Sequence, residues 1–343
     1  MICPRKTLAV VLSLSLVAST AALQQAAPQQ DDPRARIRTT VELVVVPVTA
    51  KDAQGRLVGD IRQEEFRLFE DGVEQKVSLF SVEPFPLSAV VLLDDGLKQK
   101  TAEQVQTTMR TIAGGFGALD EVAIGRFDVI FEQVSDFTAD PDKVFDQLKR
   151  IELSRTFPGQ AGAPMTSNPR VNTAQAPDLQ GAKNRTTQVL SDTPSKNIDD
   201  AVAAAGQMLS TRPRERRKII FLISDGHNSR YNTNSFADTV RVLLSADISV
   251  YAINVGEGAL NPIRNVLAKY ARATGGEVFN ANSRAELERL YSSITEEARN
   301  QYTLGYVPQD TDRNADYHTI EVRVKRGGLL LLAREGYYTV ARP

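Results

Sequence analysis

The sequence predicts an α/β protein: a doubly wound, mostly parallel sheet covered by helices, with a small antiparallel β-sandwich formed by the N- and C-terminal flanks. Three observations carry the prediction. From Leu87 onward apolar strand-like runs alternate with helical patterns, and three of those runs are nearly continuous, as strands buried on both faces must be. Both flanks are β-rich instead, and neither could bury a core alone, so the simplest arrangement pairs them. With 343 residues at 42% hydrophobic content, the chain has enough apolar side chain for one large domain, or a medium one with an accessory.

Taken in order, residues 1–22 read as a secretory signal peptide: Arg5 and Lys6 precede an apolar run that ends in small residues at Ser19, Thr20, Ala21 and Ala22. The mature chain is expected to start near Leu23, with a polar spacer to residue 40. Cys3, the only cysteine, falls inside the signal, so the mature chain is expected to have no disulfide, thiolate metal site or cysteine nucleophile. No later segment is long and apolar enough to span a bilayer.

Residues 41–86 form the first β segment. "TTVELVVVPVTAKDAQGRLVGDI" is rich in β-branched residues, and Asp71-Gly72 in "FRLFEDGVEQKVSLFSVE" is the strongest short-range hairpin signal in the chain. Strands of the central sheet are expected at "SAVVLLD" (88–94), "EVAIGRFD" (121–128), "VIFEQVS" (129–135), "KIIFLISD" (218–225), "ISVYAINV" (248–255) and "EVFN" (277–280). The second and third lie so close that only a hairpin joins them, which makes one strand antiparallel. Helices are expected after a Thr101/Gln104 capping pair, after Asp140-Pro141 and after Ser283, with others at 197–209 and 234–247 and one ending at Gly275-Gly276. Residues 154–185, rich in Gly, Pro, Ser, Asn and Gln without any period, are expected to be a disordered insertion. Residues 301–343 return to β texture and are expected to pair with 41–86.

In an open parallel sheet, ligands bind beyond the carboxyl ends of the strands where strand order reverses. Two apolar strands end there in carboxylates: Asp94 after "VVLL" and Asp225 after "IIFLIS". "SDTPSK" adds Thr193, beside Asp192, as a third oxygen donor ahead of a helix.

These residues resemble the von Willebrand factor A domain, a Rossmann-like fold, over about Leu87 to Asn300. The resemblance implies a metal-ion-dependent adhesion site: DxSxS after the first strand, a threonine in a mid-domain loop, and an aspartate after the fourth strand, together holding Mg²⁺ or Mn²⁺. The flanking "FRLFEDGVEQKVSLFSVE", "RNQYTLGYVPQ" and "YHTIEVRVKRGGLLLLAREGYY" resemble the bacterial exported family of VWFA-related Acidobacterial domain proteins. Carried over residue by residue, Asp94, Thr193 and Asp225 match metal ligands and Asp95 a free position, but Gly96 and Lys98 stand where both serines belong. The resemblance therefore implies a degenerate site. With both hydroxyls gone, the expectation is no cofactor, or weakly bound Mg²⁺ or Mn²⁺. Lys98 is expected to stand in for the ion, neutralising the paired acids, or to receive a partner's acid, with Asp95 as a second partner-facing residue; the alternative has Lys98 in solvent, with Asp95 or Asp192 replacing the serines.

Other signals carry less. The glycines of "AGGFGALD" follow a helix and precede a strand, the reverse of a dinucleotide fingerprint. His227 and His318, the only histidines, are too far apart in sequence for a histidine cluster. The basic run "RPRERRKII" reads as the solvated entry to a strand, and a formal net charge of −1 gives no field for nucleic acid. Tyr302, Tyr306, Tyr317, Tyr337 and Tyr338 are explained by alternate sandwich positions as well as by a binding platform. The function expected is an exported, non-enzymatic interaction or adhesion module, periplasmic or extracellular, that takes a protein ligand. A metal-assisted hydrolase at the same crevice and a structural envelope protein are the alternatives.

Overall fold

The computed structural model describes residues 43–153, 196–256, 265–308 and 316–339. The expected signal peptide, the spacer, the 154–185 insertion, Asp192 and Thr193 lie outside the described residues.

The chain runs β1 (Val44–Lys51), β2 (Phe66–Glu70), β3 (Val73–Gln75), β4 (Val77–Ser81), β5 (Leu87–Asp94), α1 (Gln99–Ala113), β6 (Glu121–Phe127), β7 (Phe131–Gln133) and α2 (Pro141–Arg150). It continues through α3 (Ile198–Ser210), β8 (Arg217–Ser224), α4 (Phe236–Ser245), β9 (Ile248–Val255), α5 (Val266–Thr274), β10 (Val278–Ala281) and α6 (Arg284–Arg299). It ends in β11 (Tyr302–Tyr306), β12 (Tyr317–Val324), β13 (Leu330–Ala333) and β14 (Gly336–Tyr338).

The central sheet has the order β10-β9-β8-β5-β6-β7, parallel except for the antiparallel edge strand β7. Every residue of β5 is buried, because helices cover both faces. Alternate side chains feed different cores: Ala89, Val91 and Leu93 pack with α1, α2 and α6, whereas Val90 and Leu92 pack with α3, α4 and α5. Each of these valines and leucines contributes about 1.5–3 kcal/mol relative to exposure. The run "AVVLL" is therefore one of the strongest determinants of where the sheet's centre lies.

Flanking strands from both ends of the chain form two four-stranded antiparallel sheets, β13-β1-β11-β4 and β14-β12-β2-β3, around a core that includes Val46, Val48, Leu68, Leu304 and Tyr306. Asp71 (φ 48°) and Gly72 (φ 80°) make the β2–β3 turn, both in the left-handed region that a two-residue primed turn needs. The tyrosines Tyr302, Tyr306 and Tyr337 are core residues of this sandwich. Tyr302 donates to Val58 O and accepts from Ile61 N.

Helix starts follow capping chemistry where a cap exists. Asp140 accepts from Asp142 N and Lys143 N, and Ser283 from Glu286 N. The expected Thr101/Gln104 start of α1 is corrected. The helix begins at Gln99 with Lys98 as its uncapped N-cap residue, since the short β5–α1 connection brings the chain into register before Thr101.

The basic run before β8 ties layers together. Arg212 pairs with Glu121, Arg216 donates to Leu87 O and Leu119 O, and Arg217 donates to Gln301 O and Thr303 Oγ1. Among the described residues, no helix is long and apolar enough to cross a membrane.

Candidate functional site

Strand order reverses between β5 and β8, which are parallel neighbours with Leu93 opposite Ile223. The acids that terminate them are thereby held side by side above the sheet. Asp94 is the last residue of β5 and Asp225 follows β8 directly.

The positive charge between them comes from Lys196. Its Nζ donates to Asp94 Oδ2 at 3.1 Å and to Asp225 Oδ2 at 2.7 Å, and the whole residue is 1% exposed. The sequence reading expected Lys98 in this role. Lys98 is instead exposed at the N-cap of α1, and the bridging ammonium comes from a different loop. Asp95 is partly buried, donates its N–H to Phe127 O and lies 3.9 Å from Arg126.

Lys196 is placed by its neighbours on both sides. Asn197 N and Nδ2 donate to Asp128 O and Val129 O in the β6–β7 turn. Lys196 O accepts from Ser229 N, and Ile198 N donates to Asn228 Oδ1, in the loop after β8. That loop is fixed in turn. Asp200, in the first turn of α3, accepts from Thr233 N and Asn234 N, and Asp199 accepts from Asn228 Nδ2 and the Tyr270 hydroxyl.

Asp94 is saturated with donors. Oδ1 accepts from Gly96 N (2.9 Å), and Oδ2 accepts from Ser224 Oγ (2.6 Å) as well as from Lys196. Asp225 Oδ1 accepts from His227 N, with His227 Nδ1 3.2 Å away. The two acids respond oppositely to the same ammonium. Burial pushes the fully enclosed Asp94 carboxyl above its usual range despite Lys196. At Asp225, nearer the mouth, burial also pushes upward, but the Lys196 charge and hydrogen bonds outweigh it and hold the carboxyl below its usual range.

Two glycines shape the crevice. Gly226 has φ +74° and an added Cβ would lie 1.9 Å from Asn265 Oδ1, so no other residue fits there without rearrangement. At Gly96 an added Cβ would lie 2.9 Å from Lys196 Cε and 3.3 Å from its Cγ. The lysine stem passes through the space that a side chain at position 96 would fill.

These donors do not fit a divalent ion. A unit positive charge about 4 Å from a divalent cation costs roughly 8 kcal/mol at an effective dielectric of about 20. The ammonium of Lys196 is already hydrogen-bonded to both carboxylates that would have to ligate the ion. Gly96 and Lys98 supply no hydroxyl oxygen to set against that repulsion.

Sequence reasoning missed Lys196 although it stands within the quoted "SDTPSK". The readable signal was the pair of changes, a glycine at 96 and a lysine three residues after Thr193.

Residues 170–293 match the family model described as von Willebrand factor type A domain. The match begins after Asp94, so the first motif lies outside it. A search of curated proteins gave no match. Among solved structures, proximal thread matrix protein 1 from the mussel byssus is 13% identical, with 63% of this chain and 49% of that chain covered and a TM-score of 0.43. The conserved hypothetical protein BatB from Bacteroides thetaiotaomicron is 13% identical, with 62% and 98% covered and a TM-score of 0.40. A von Willebrand factor type A structure from Catenulispora acidiphila is 10% identical, with 88% and 75% covered and a TM-score of 0.41. This chain spans about half the length of the mussel protein it matches. The match to a von Willebrand factor type A domain thus lies at residues 170–293, within a doubly wound sheet ordered β10-β9-β8-β5-β6-β7.

Proposed function

We propose that this chain is an exported, non-enzymatic interaction module that captures a protein partner at the crevice above β5 and β8. In this reading residues 1–22 are a signal peptide, the A-type domain runs over about 87–300, the terminal strands belong to the VWFA-related Acidobacterial type, and the mature protein works in the periplasm or outside the cell. Its adhesion site is degenerate, built on Asp94 and Asp225, with Thr193 as the third family position and Lys98 and Asp95 near the rim.

The observation that carries the reading is the rim of the crevice. Val129 and Ile130 at the β6–β7 turn and Tyr231 in the loop after β8 are exposed apolar side chains on the two segments that hydrogen-bond to Lys196 and Asn197. Large apolar groups kept in water beside a rigid polar floor are the composition of a protein-binding patch. The hydrolase alternative has little to work with, because both acids are engaged by Lys196 and, among the described residues around them, none is a free nucleophile with an adjacent base.

The test is capture from envelope extracts by the immobilised mature chain with in situ crosslinking, comparing wild type with Ile130→Asp, Tyr231→Asp, Lys98→Ala and Asp95→Ala. Crosslinks should map to the rim and be lost in the first two variants. Capture that is unchanged in every variant would leave the structural envelope reading in its place.

A further inference from the structure

We propose that Lys196 is a built-in cation that takes the place of a divalent ion between Asp94 and Asp225, and that Gly96 is its companion, kept without a side chain so that the lysine stem can pass. The crevice is then metal-independent by construction.

Three independent features converge on this. The ammonium sits between two carboxylates from neighbouring strands, 3.1 Å and 2.7 Å away, in a residue that is 1% exposed. The stem fills the space of a side chain at 96, with Cε, Cγ and Cδ at 2.9, 3.3 and 3.4 Å from where a Cβ would be. The backbone of Lys196–Asn197 is pinned on both sides, by the β6–β7 turn and by Ser229, so the ammonium is delivered by fixed structure and not by a wandering surface side chain. A side chain at 96 and the present course of the Lys196 stem compete for the same space, so the missing hydroxyl and the buried charge fit together. An ammonium also differs from a metal in what it offers a partner. It has N–H donors but no vacant coordination position, so a partner's carboxylate cannot bind here by completing a metal shell.

The consequence for partner capture rests on the interaction reading above; the occupancy of the crevice by Lys196 does not, and two measurements address it alone. Wild-type protein stripped with chelator is titrated separately with Mg²⁺, Mn²⁺ and Zn²⁺ while thermal unfolding is followed. No saturable change in Tm is expected, and a saturable upward shift of several degrees that disappears in Asp225→Asn overturns the proposal. The second measurement is a double-mutant cycle of Gly96→Ala and Lys196→Ala. Gly96 does not have a positive φ, so alanine there would ordinarily be tolerated or slightly stabilising. Gly96→Ala should lower Tm in the wild-type background and lose most of that effect beside Lys196→Ala; equal losses in both backgrounds overturn the proposal. Should Lys196→Ala fail to fold, Gly96→Ala with an unchanged Tm still does so. A silent metal titration together with no captured partner removes the interaction reading and leaves this one standing; a metal response removes this one alone.

Discussion

Lys51 Nζ lies 2.6 Å from a carboxylate oxygen of Glu297, joining β1 of the sandwich to α6 of the doubly wound domain, and the same ammonium also pairs with Glu277. Lys51 and Glu297 are both buried, so the cluster works as a strut between the two halves of the molecule. Removing Lys51 leaves the buried Glu297 carboxyl without its donor, which costs about 1–3 kcal/mol. Lys51→Met should therefore lower the urea midpoint by a corresponding amount, and a midpoint within error of wild type would mean the strut carries no load.

The same cluster predicts a pH dependence. Glu297 is pushed up to about 8, first by burial and then by the neighbouring Glu277 charge. Its folded value exceeds its ordinary 4.5, so the folded state holds a proton that the unfolded chain has released. The stability from this group is fully present below about 4.5 and is lost as pH rises through about 8. The slope cannot exceed about 1.4 kcal/mol per pH unit for one proton. Glu297→Gln should flatten the fall in stability across that window; parallel urea-midpoint profiles for the two proteins would refute it.

Tyr270 secures the floor of the crevice from below. Its hydroxyl donates to Asp199 Oδ1 at 2.6 Å, while Asn228 Nδ2 holds Oδ2 at 2.7 Å. Tyr270→Phe leaves a buried carboxylate oxygen short of a donor, a change that costs about 1–3 kcal/mol. Thermal unfolding should report the loss, and amide hydrogen exchange should speed up in the 226–232 loop, which Asp199 anchors through Asn228. Faster exchange elsewhere but not in that loop would argue against the anchoring role.

The Asp71-Gly72 turn should be sensitive to side-chain type. Gly72 has φ +80°, and the turn is further held by Thr319 N and Oγ1 and by His318 Nδ1 on Asp71. Gly72→Ala is expected to destabilise by about 1–2 kcal/mol, with Gly72→Asn costing less because asparagine tolerates the left-handed region. Equal losses for the two variants would show that the turn relaxes to another geometry.

What sequence reading could see depended on how local the determinant was. "VVLLD" and "IIFLISD" announce strands buried on both faces, and Asp71-Gly72 announces its turn, because each is specified by a handful of adjacent side chains. The N-cap of α1 lies three residues before the Thr101 cap that the sequence suggests, since no side-chain cap marks it. The Lys51–Glu297 strut was not legible at all, because its members are separated along the chain and nothing local marks either one.

The sequence by itself determined the alternation of strands and helices, the β character of both flanks, and the placing of Asp94 and Asp225 at the carboxyl ends of two apolar strands. Only the tertiary structure decided which lysine meets them. Lys98 lies four residues after Asp94 yet is exposed at the start of α1, while Lys196, on a segment pinned between two other loops, fills the gap that Gly96 leaves. The physical reason is that a buried charge is placed by the backbone that surrounds it in space, and proximity along the chain does not specify that surrounding.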